Sequence, residues 1–238
     1  MILDSARGRI MLWFGAGADA AAFPSMGGSM LPDFMSPKKE KPRALKGFAA
    51  AAAPPAPAKP IAKFPMRKQE LPNWCWAAVS SGVATARSTA RSQCQVATLY
   101  AGKSQDPIVN TALKKAPCCP PSLKVDTWAY LNEVLDLLGL TRVPIRAIKA
   151  GDGTAALARA DIGKGRPVPI RIDWNDGAGS GHFIALVGSE TRAGSQAFLV
   201  YDPAETHEDV GNLLVRSEAD LAGGYNGVGE WSHVYFVK

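Results

Sequence analysis

Histidine is scarce in this chain: its 238 residues include three, at positions 182, 207 and 233. Any chemistry that needs an imidazole base must draw on one of them. Cysteine is almost as sparse, with four residues, none in a Cys-x-x-Cys spacing and none of the clustered ones beside a histidine. That pattern does not make a zinc site, and neither metal nor cofactor is expected. No apolar run is long enough to span a bilayer, so no membrane span is expected. Excess charge is missing from most of the chain as well. Residues 1–68 carry 11 Lys and Arg against 4 Asp and Glu, a balance of +7, while the remainder carries 16 against 17. The net charge of +6 therefore belongs to the N-terminal stretch. Nucleic-acid binding needs a basic face on a folded domain, and no nucleic-acid partner is expected.

Composition divides the chain near residue 65. Residues 1–68 hold nine of the 18 prolines and an alanine run, Ala49 to Ala53, followed by Pro54-Pro55-Ala56-Pro57, with no periodic apolar pattern. Residues 1–64 read as a disordered or extended tail, and 65–238 as one folded domain, expected to be a monomer. Lys38-Lys39-Glu40-Lys41 reads as a solvating charge run. Arg7 and Arg9, then Ile10 to Ala18, then Ala18-Asp19-Ala20 loosely imitate a signal peptide, although the apolar part is short and diluted by Gly15 and Gly17. A leader for another export route, or a removable pro-segment, explains the tail equally well.

What is present is concentrated in residues 69–76, Gln-Glu-Leu-Pro-Asn-Trp-Cys-Trp. Pro72 and Asn73 keep a helix from starting earlier. Trp76-Ala77-Ala78-Val79 continues through Val83, Ala84 and Ala86, with no proline from 73 to 106, so a helix is expected to open at Cys75. A helix N-terminus offers partial positive charge and free N–H groups, which is where a thiolate is stabilised. An acyl oxygen beside that sulfur could accept one hydrogen bond from the Cys75 N–H and a second from the Gln69 amide.

For the base, His182 stands apart. It begins His182-Phe183-Ile184-Ala185-Leu186-Val187, an apolar run of a buried strand, approached through glycines at 177, 179 and 181. Ala197 to Tyr201 reads as the next strand, ended by Asp202-Pro203, and the stretch between should form a hairpin. Pairing symmetric about Arg192 would set His182 directly opposite Asp202. The carboxylate would then hold one ring nitrogen and leave the other for Cys75, the orienter–base–nucleophile arrangement of a catalytic triad. Plainer readings exist for each residue: Cys75 as a small buried hydrophobe, His182 as a satisfied core histidine, Asp202 as a turn residue before proline, and Gln69 as a solvent-facing or capping residue.

Gln69, the stretch Asn73 to Ala78, Gly181-His182 with its strand, and Tyr201-Asp202-Pro203 together resemble the papain-like cysteine proteases, in particular the small bacterial branch that includes effector proteases of plant pathogens. The resemblance covers residues 65–238. It implies Cys75 as nucleophile, His182 as general base and acid, Asp202 as orienting carboxylate and Gln69 as oxyanion donor, acting on a protein or peptide substrate. It also implies export or secretion from a bacterium, against a cytoplasmic alternative, and self-processing of the tail. Two departures stand out. Cys75 and His182 are 107 positions apart, shorter than the roughly 130 to 150 of the larger members, which favours the compact branch. The third residue is Asp where many members have Asn, and a carboxylate holds an imidazolium more strongly than an amide does.

Members of this kind often carry a disulfide in the helical half, which implies one here between Cys94 and either Cys118 or Cys119. Adjacent Cys118 and Cys119 are poorly placed to bond each other. Reduced buried thiols are the alternative. The expected fold class is α+β, papain-like: a helical half carrying the nucleophile, packed on an antiparallel sheet half. Helices are expected at 75–90, 94–102, 123–139 and 154–163, and strands near 143–149, 167–173, 182–188, 197–201, 212–216 and 231–237. The Trp128 face reads as core packing and His233 as a packed or edge histidine. Acyl transfer or side-chain deamidation on the same triad, and a non-catalytic binding module, are the competing functions.

Overall fold

The computed structural model describes residues 59–61, 64–142, 146–147, 153–205 and 213–238. The expectation for residues 1–58 and any role for His207 lie outside the described residues. Among the described residues the architecture is α+β, with helices gathered before the sheet in sequence and two short helices inserted among its strands.

Helix α1, Cys75–Ala86, is buried along most of its length because its sequence is nearly all small and apolar. Helix α2, Gln93–Tyr100, starts at a Ser92–Gln95 capping box. Helix α3, Pro107–Leu113, is an addition to the sequence expectation. Asp106 accepts from the N–H groups of Ile108 and Val109, and Pro107 fills the first helical position.

The helix expected over 123–139 is corrected. A 3-10 turn at Leu123–Val125 gives way to extended chain, and helix α4 covers only Leu131–Leu137. Long-range bonds compete with the helix there. The Trp74 indole donates to the Val125 carbonyl at 3.1 Å and the Trp76 indole to the Thr127 carbonyl at 2.9 Å. Between them the Asp126 carboxylate accepts from the Asn73 N–H and side-chain amide. A strap of extended backbone is thus tied to the start of α1. Cys94 and Cys119 form a disulfide, which resolves the pairing left open by sequence, and Cys118 is a buried free thiol.

The strands are β1 (Arg146–Ala147), β2 (Val168–Asp173), β3 (Gly181–Arg192), β4 (Ser195–Tyr201), β5 (Leu214–Ser217) and β6 (Glu230–Val234). They form one sheet in the order β1-β6-β2-β3-β4-β5, with every pairing antiparallel. Helix α5, Thr154–Ile162, precedes β2, and α6, Glu218–Gly223, starts at a Ser217–Asp220 capping box between β5 and β6. Both faces of the sheet are covered, so β3 is apolar without alternation. Phe183, Ala185 and Val187 face a core shared with α1, α2 and α4, while Ile184 and Leu186 face a second core with α5 and α6.

The hairpin register expected from sequence is also corrected. The turn is the two residues Ala193 and Gly194, both at positive φ, flanked by the pair Arg192 and Ser195. A bulge then shifts the β3–β4 pairing between Leu186 and Gly188. Packing against the first core begins before residue 65. The Ile61 N–H donates to the Val187 carbonyl at 2.7 Å, Phe64 is 2 % exposed and its ring meets Tyr201 at 5.5 Å, and Met66 is buried.

Phe64 therefore acts as core although it sits at the edge of the proline-rich stretch. Phe64→Ala should cost about 3–5 kcal/mol in chemical denaturation; a loss below about 1 kcal/mol would mean this segment is not anchored. Reducing the Cys94–Cys119 bridge, which spans a sequence separation of 25, should cost about 3 kcal/mol by loop closure. Equal midpoints with and without reductant would contradict that.

Candidate active site

Cys75 is the first residue of α1, and the helix starts without a side-chain cap and without an acidic residue in its first turn. An uncapped helix start is normally unfavourable, and its N–H groups and positive dipole end suit an anion. The strap at Val125–Thr127 fixes Trp74 and Trp76, the residues immediately before and after Cys75 in the chain.

His182 is the second residue of β3, 7 % exposed, and its Nε2–H donates to Asp202 Oδ1 at 2.6 Å. The bulge explains the contact. In the register near the turn, Asp202 would fall opposite Ala185 and face the first core. The one-residue shift pairs Ala185 with Tyr201 instead, which puts Asp202 level with Ile184. Side chains alternate along a strand, so Ile184 and His182 share a face and Asp202 becomes a diagonal neighbour of the ring. Gly181 must lack a side chain: a Cβ there would lie 2.6 Å from the Ile172 carbonyl and 2.7 Å from the Arg171 guanidinium. Arg171 in turn donates to the Gly179 carbonyl, holding the loop that leads into His182.

Asp202 is 1 % exposed and well supplied with donors. Besides His182, the Ala204 N–H donates to Oδ1 at 2.8 Å and the Tyr225 hydroxyl donates to Oδ2. Burial works against its charge, but these bonds and the facing imidazolium hold its pKa below the ordinary carboxylate value. Burial likewise opposes charge on His182. The bond to Asp202, the bond to Cys75 and the charges of both outweigh it and raise the imidazole to about 10. With Nε2 committed to Asp202, Nδ1 is the nitrogen left for the sulfur. Trp174 stacks on the His182 ring, 5.9 Å between centroids and 16° between planes.

Three of the four residues singled out by sequence, Cys75, His182 and Asp202, thus come together. Gln69 is close in the chain but differently occupied. Its N–H donates to the Pro203 carbonyl at 2.8 Å, joining the approach to Cys75 to the segment after Asp202. Its side-chain amide donates to the Leu71 carbonyl at 3.1 Å and to the Pro72 carbonyl, and its Oε1 is buried without a hydrogen bond. Both amide hydrogens brace the loop before α1. His233, on β6 two strands from β3, bonds Ser232 and is lowered to about 4 by burial and by Arg171. Trp174 and Tyr225 were not singled out by sequence. Trp174 could have been reached from register, since it follows the Asp173–Gly181 pair, whereas nothing local marks Tyr225. No family model matches the chain, and no curated protein matches it in sequence.

The sign of the pH dependence follows from the two shifts. His182 is raised from 6.5, so its contribution to stability is complete below that value and fades as pH rises through about 10. Asp202 is lowered from 3.8, so its contribution is complete above that value and fades as pH falls through its folded pKa. Stability from the pair should be greatest between about pH 4 and 6.5 and decline toward pH 10. Asp202→Asn should flatten the alkaline decline in melting temperature and bring the NMR titration of His182 down from about 10. An unchanged His182 midpoint in that variant would show that the carboxylate does not hold the imidazolium.

Proposed function

We propose that the chain is a papain-like cysteine endopeptidase, exported from a bacterium, that hydrolyses peptide bonds of protein substrates as a monomer. One observation supports this above all: an uncapped helix N-terminus carries a thiol bonded to an imidazole whose other nitrogen is 2.6 Å from a buried carboxylate. A histidine needed only for packing would not require a nearly inaccessible carboxylate and a sulfur on opposite edges of its ring.

In the proposed mechanism the Cys75 sulfur attacks the peptide carbonyl carbon and forms the carbon–sulfur bond. The carbonyl oxygen takes the negative charge and accepts from the Cys75 N–H. His182 delivers its Nδ1 proton to the leaving amine as the carbon–nitrogen bond breaks. Water then attacks the thioester while His182 takes its proton, and the sulfur departs as the acid product leaves. Gln69 is the second oxyanion donor in this reading. Its amide would exchange the Pro72 carbonyl for the substrate oxygen, a better acceptor once charged. Asp202 keeps the ring oriented through both steps.

Mass spectrometry of a peptide library treated with the protein should show shortened products. They should vanish, with the fold intact, in Cys75→Ala, and Gln69→Ala should lower kcat about 10²- to 10³-fold. Products one dalton heavier and uncut would instead indicate deamidation, and undiminished cleavage by Cys75→Ala would end the proposal.

A further inference from the structure

We propose that Tyr225 is a positioning residue of this site, the group that fixes Asp202 so that Asp202 can fix His182. The role in turnover rests on the peptidase reading, while the role in holding the imidazole does not.

Asp202 lies one residue beyond the end of β4, where the regular strand has ended. A carboxylate turns easily about its last bond, and only one oxygen is needed by His182. The Ala204 N–H donates to that same Oδ1, so it does not choose the plane of the group. The Tyr225 hydroxyl, on Oδ2, does. With His182 and Ala204 donating to Oδ1 and Tyr225 to Oδ2, the Tyr225 hydroxyl restrains rotation of the carboxylate about its last bond.

Tyr225 is itself held on several sides. It is fully buried, and its N–H and carbonyl both pair with Gly229 across a tight turn in which Asn226 and Gly227 have positive φ. The Arg216 guanidinium covers its ring at 5.3 Å, and the ring of Trp174, the residue stacked on His182, lies tilted to it at 6.2 Å between centroids. The hydroxyl remains protonated, because burial and the Asp202 charge both push its pKa up, so it can only donate to the carboxylate. Its neighbours Trp174 and Asp202 meet the His182 ring on its face and at Nε2, opposite the edge that meets Cys75. Tyr225 therefore backs both restraints on the base without touching the reacting sulfur.

The test uses the full chain and the Tyr225→Phe substitution, which removes one oxygen and keeps the ring. In wild type the His182 Nε2–H should give a sharp downfield proton NMR signal. In Tyr225→Phe that signal should broaden or move upfield while the rest of the spectrum is preserved. On a cleaved peptide, kcat should fall about tenfold, the size of one hydrogen bond, with KM unchanged. In an Asp202→Ala background Tyr225→Phe should have no further effect on kcat and should raise the melting temperature, since the hydroxyl there would be buried without a partner. An unaltered His182 signal in Tyr225→Phe overturns the proposal, as does an equal fall in kcat with and without Asp202. If wild type cleaves nothing, the peptidase reading fails, and the NMR comparison still decides the role of Tyr225.

Discussion

In β3 one residue has no counterpart in β4, and that surplus decides which way Asp202 faces. A strand has two faces and a period of two, so a shift of one in register exchanges them. Without the bulge between Leu186 and Gly188 the carboxylate would be directed into the core beneath α1, away from His182. The bulge is fixed by packing at the same place. Gly188 has no room for a side chain, because a Cβ would meet Leu199 at 2.7 Å and the backbone of Pro60 at 3.0 Å. The segment around Pro60 thus closes over the irregularity that aligns the site.

The alignment places ionisable groups where water cannot screen them, and such groups persist only with partners. Asp202 accepts from His182, Ala204 and Tyr225, His182 has a carboxylate on one nitrogen and sulfur on the other, and Cys75 has the open end of a helix. Asp202 and His182 each stabilise the charged form of the other. The Asp202 and His182 shifts, each opposite to what burial alone would give, are one interaction seen from its two ends, and loss of Asp202 would leave the His182 Nε2–H and the Tyr225 hydroxyl as uncompensated buried polar groups.

Sequence revealed the parts of this arrangement that depend on near neighbours. Cys75 was legible because proline and asparagine just before it and alanines after it mark a helix start. His182 was legible because a glycine and an apolar run place it at the mouth of a buried strand. Asp202 was found for a reason only partly right: the expected hairpin was centred on Arg192, and the turn lies at Ala193–Gly194, with the bulge restoring the shared face. What was not legible depends on distant partners. The expected helix over 123–139 gives up its first half because the Trp74 and Trp76 indoles, some fifty residues away, take carbonyls that a helix would use. Tyr225 reaches Asp202 from a turn between α6 and β6, and no local pattern announces it. Helices α3 and α6 did carry visible caps, Asp106-Pro107 and Ser217 with Asp220, but are too short for apolar periodicity to show.

The chain offers an internal control for whether this geometry confers reactivity. Cys75 and Cys118 are both free and both buried, at 8 % and 4 % exposure. Burial pushes the Cys118 thiol up, whereas Cys75 has the His182 imidazole beside it. The direct measurement is site-resolved mass spectrometry after brief treatment of the native protein with iodoacetamide at pH 6, with His182→Ala alongside. The account predicts labelling at Cys75, none at Cys118, and loss of the Cys75 label in the variant. Equal labelling of the two cysteines, or a Cys75 label indifferent to His182, would contradict it.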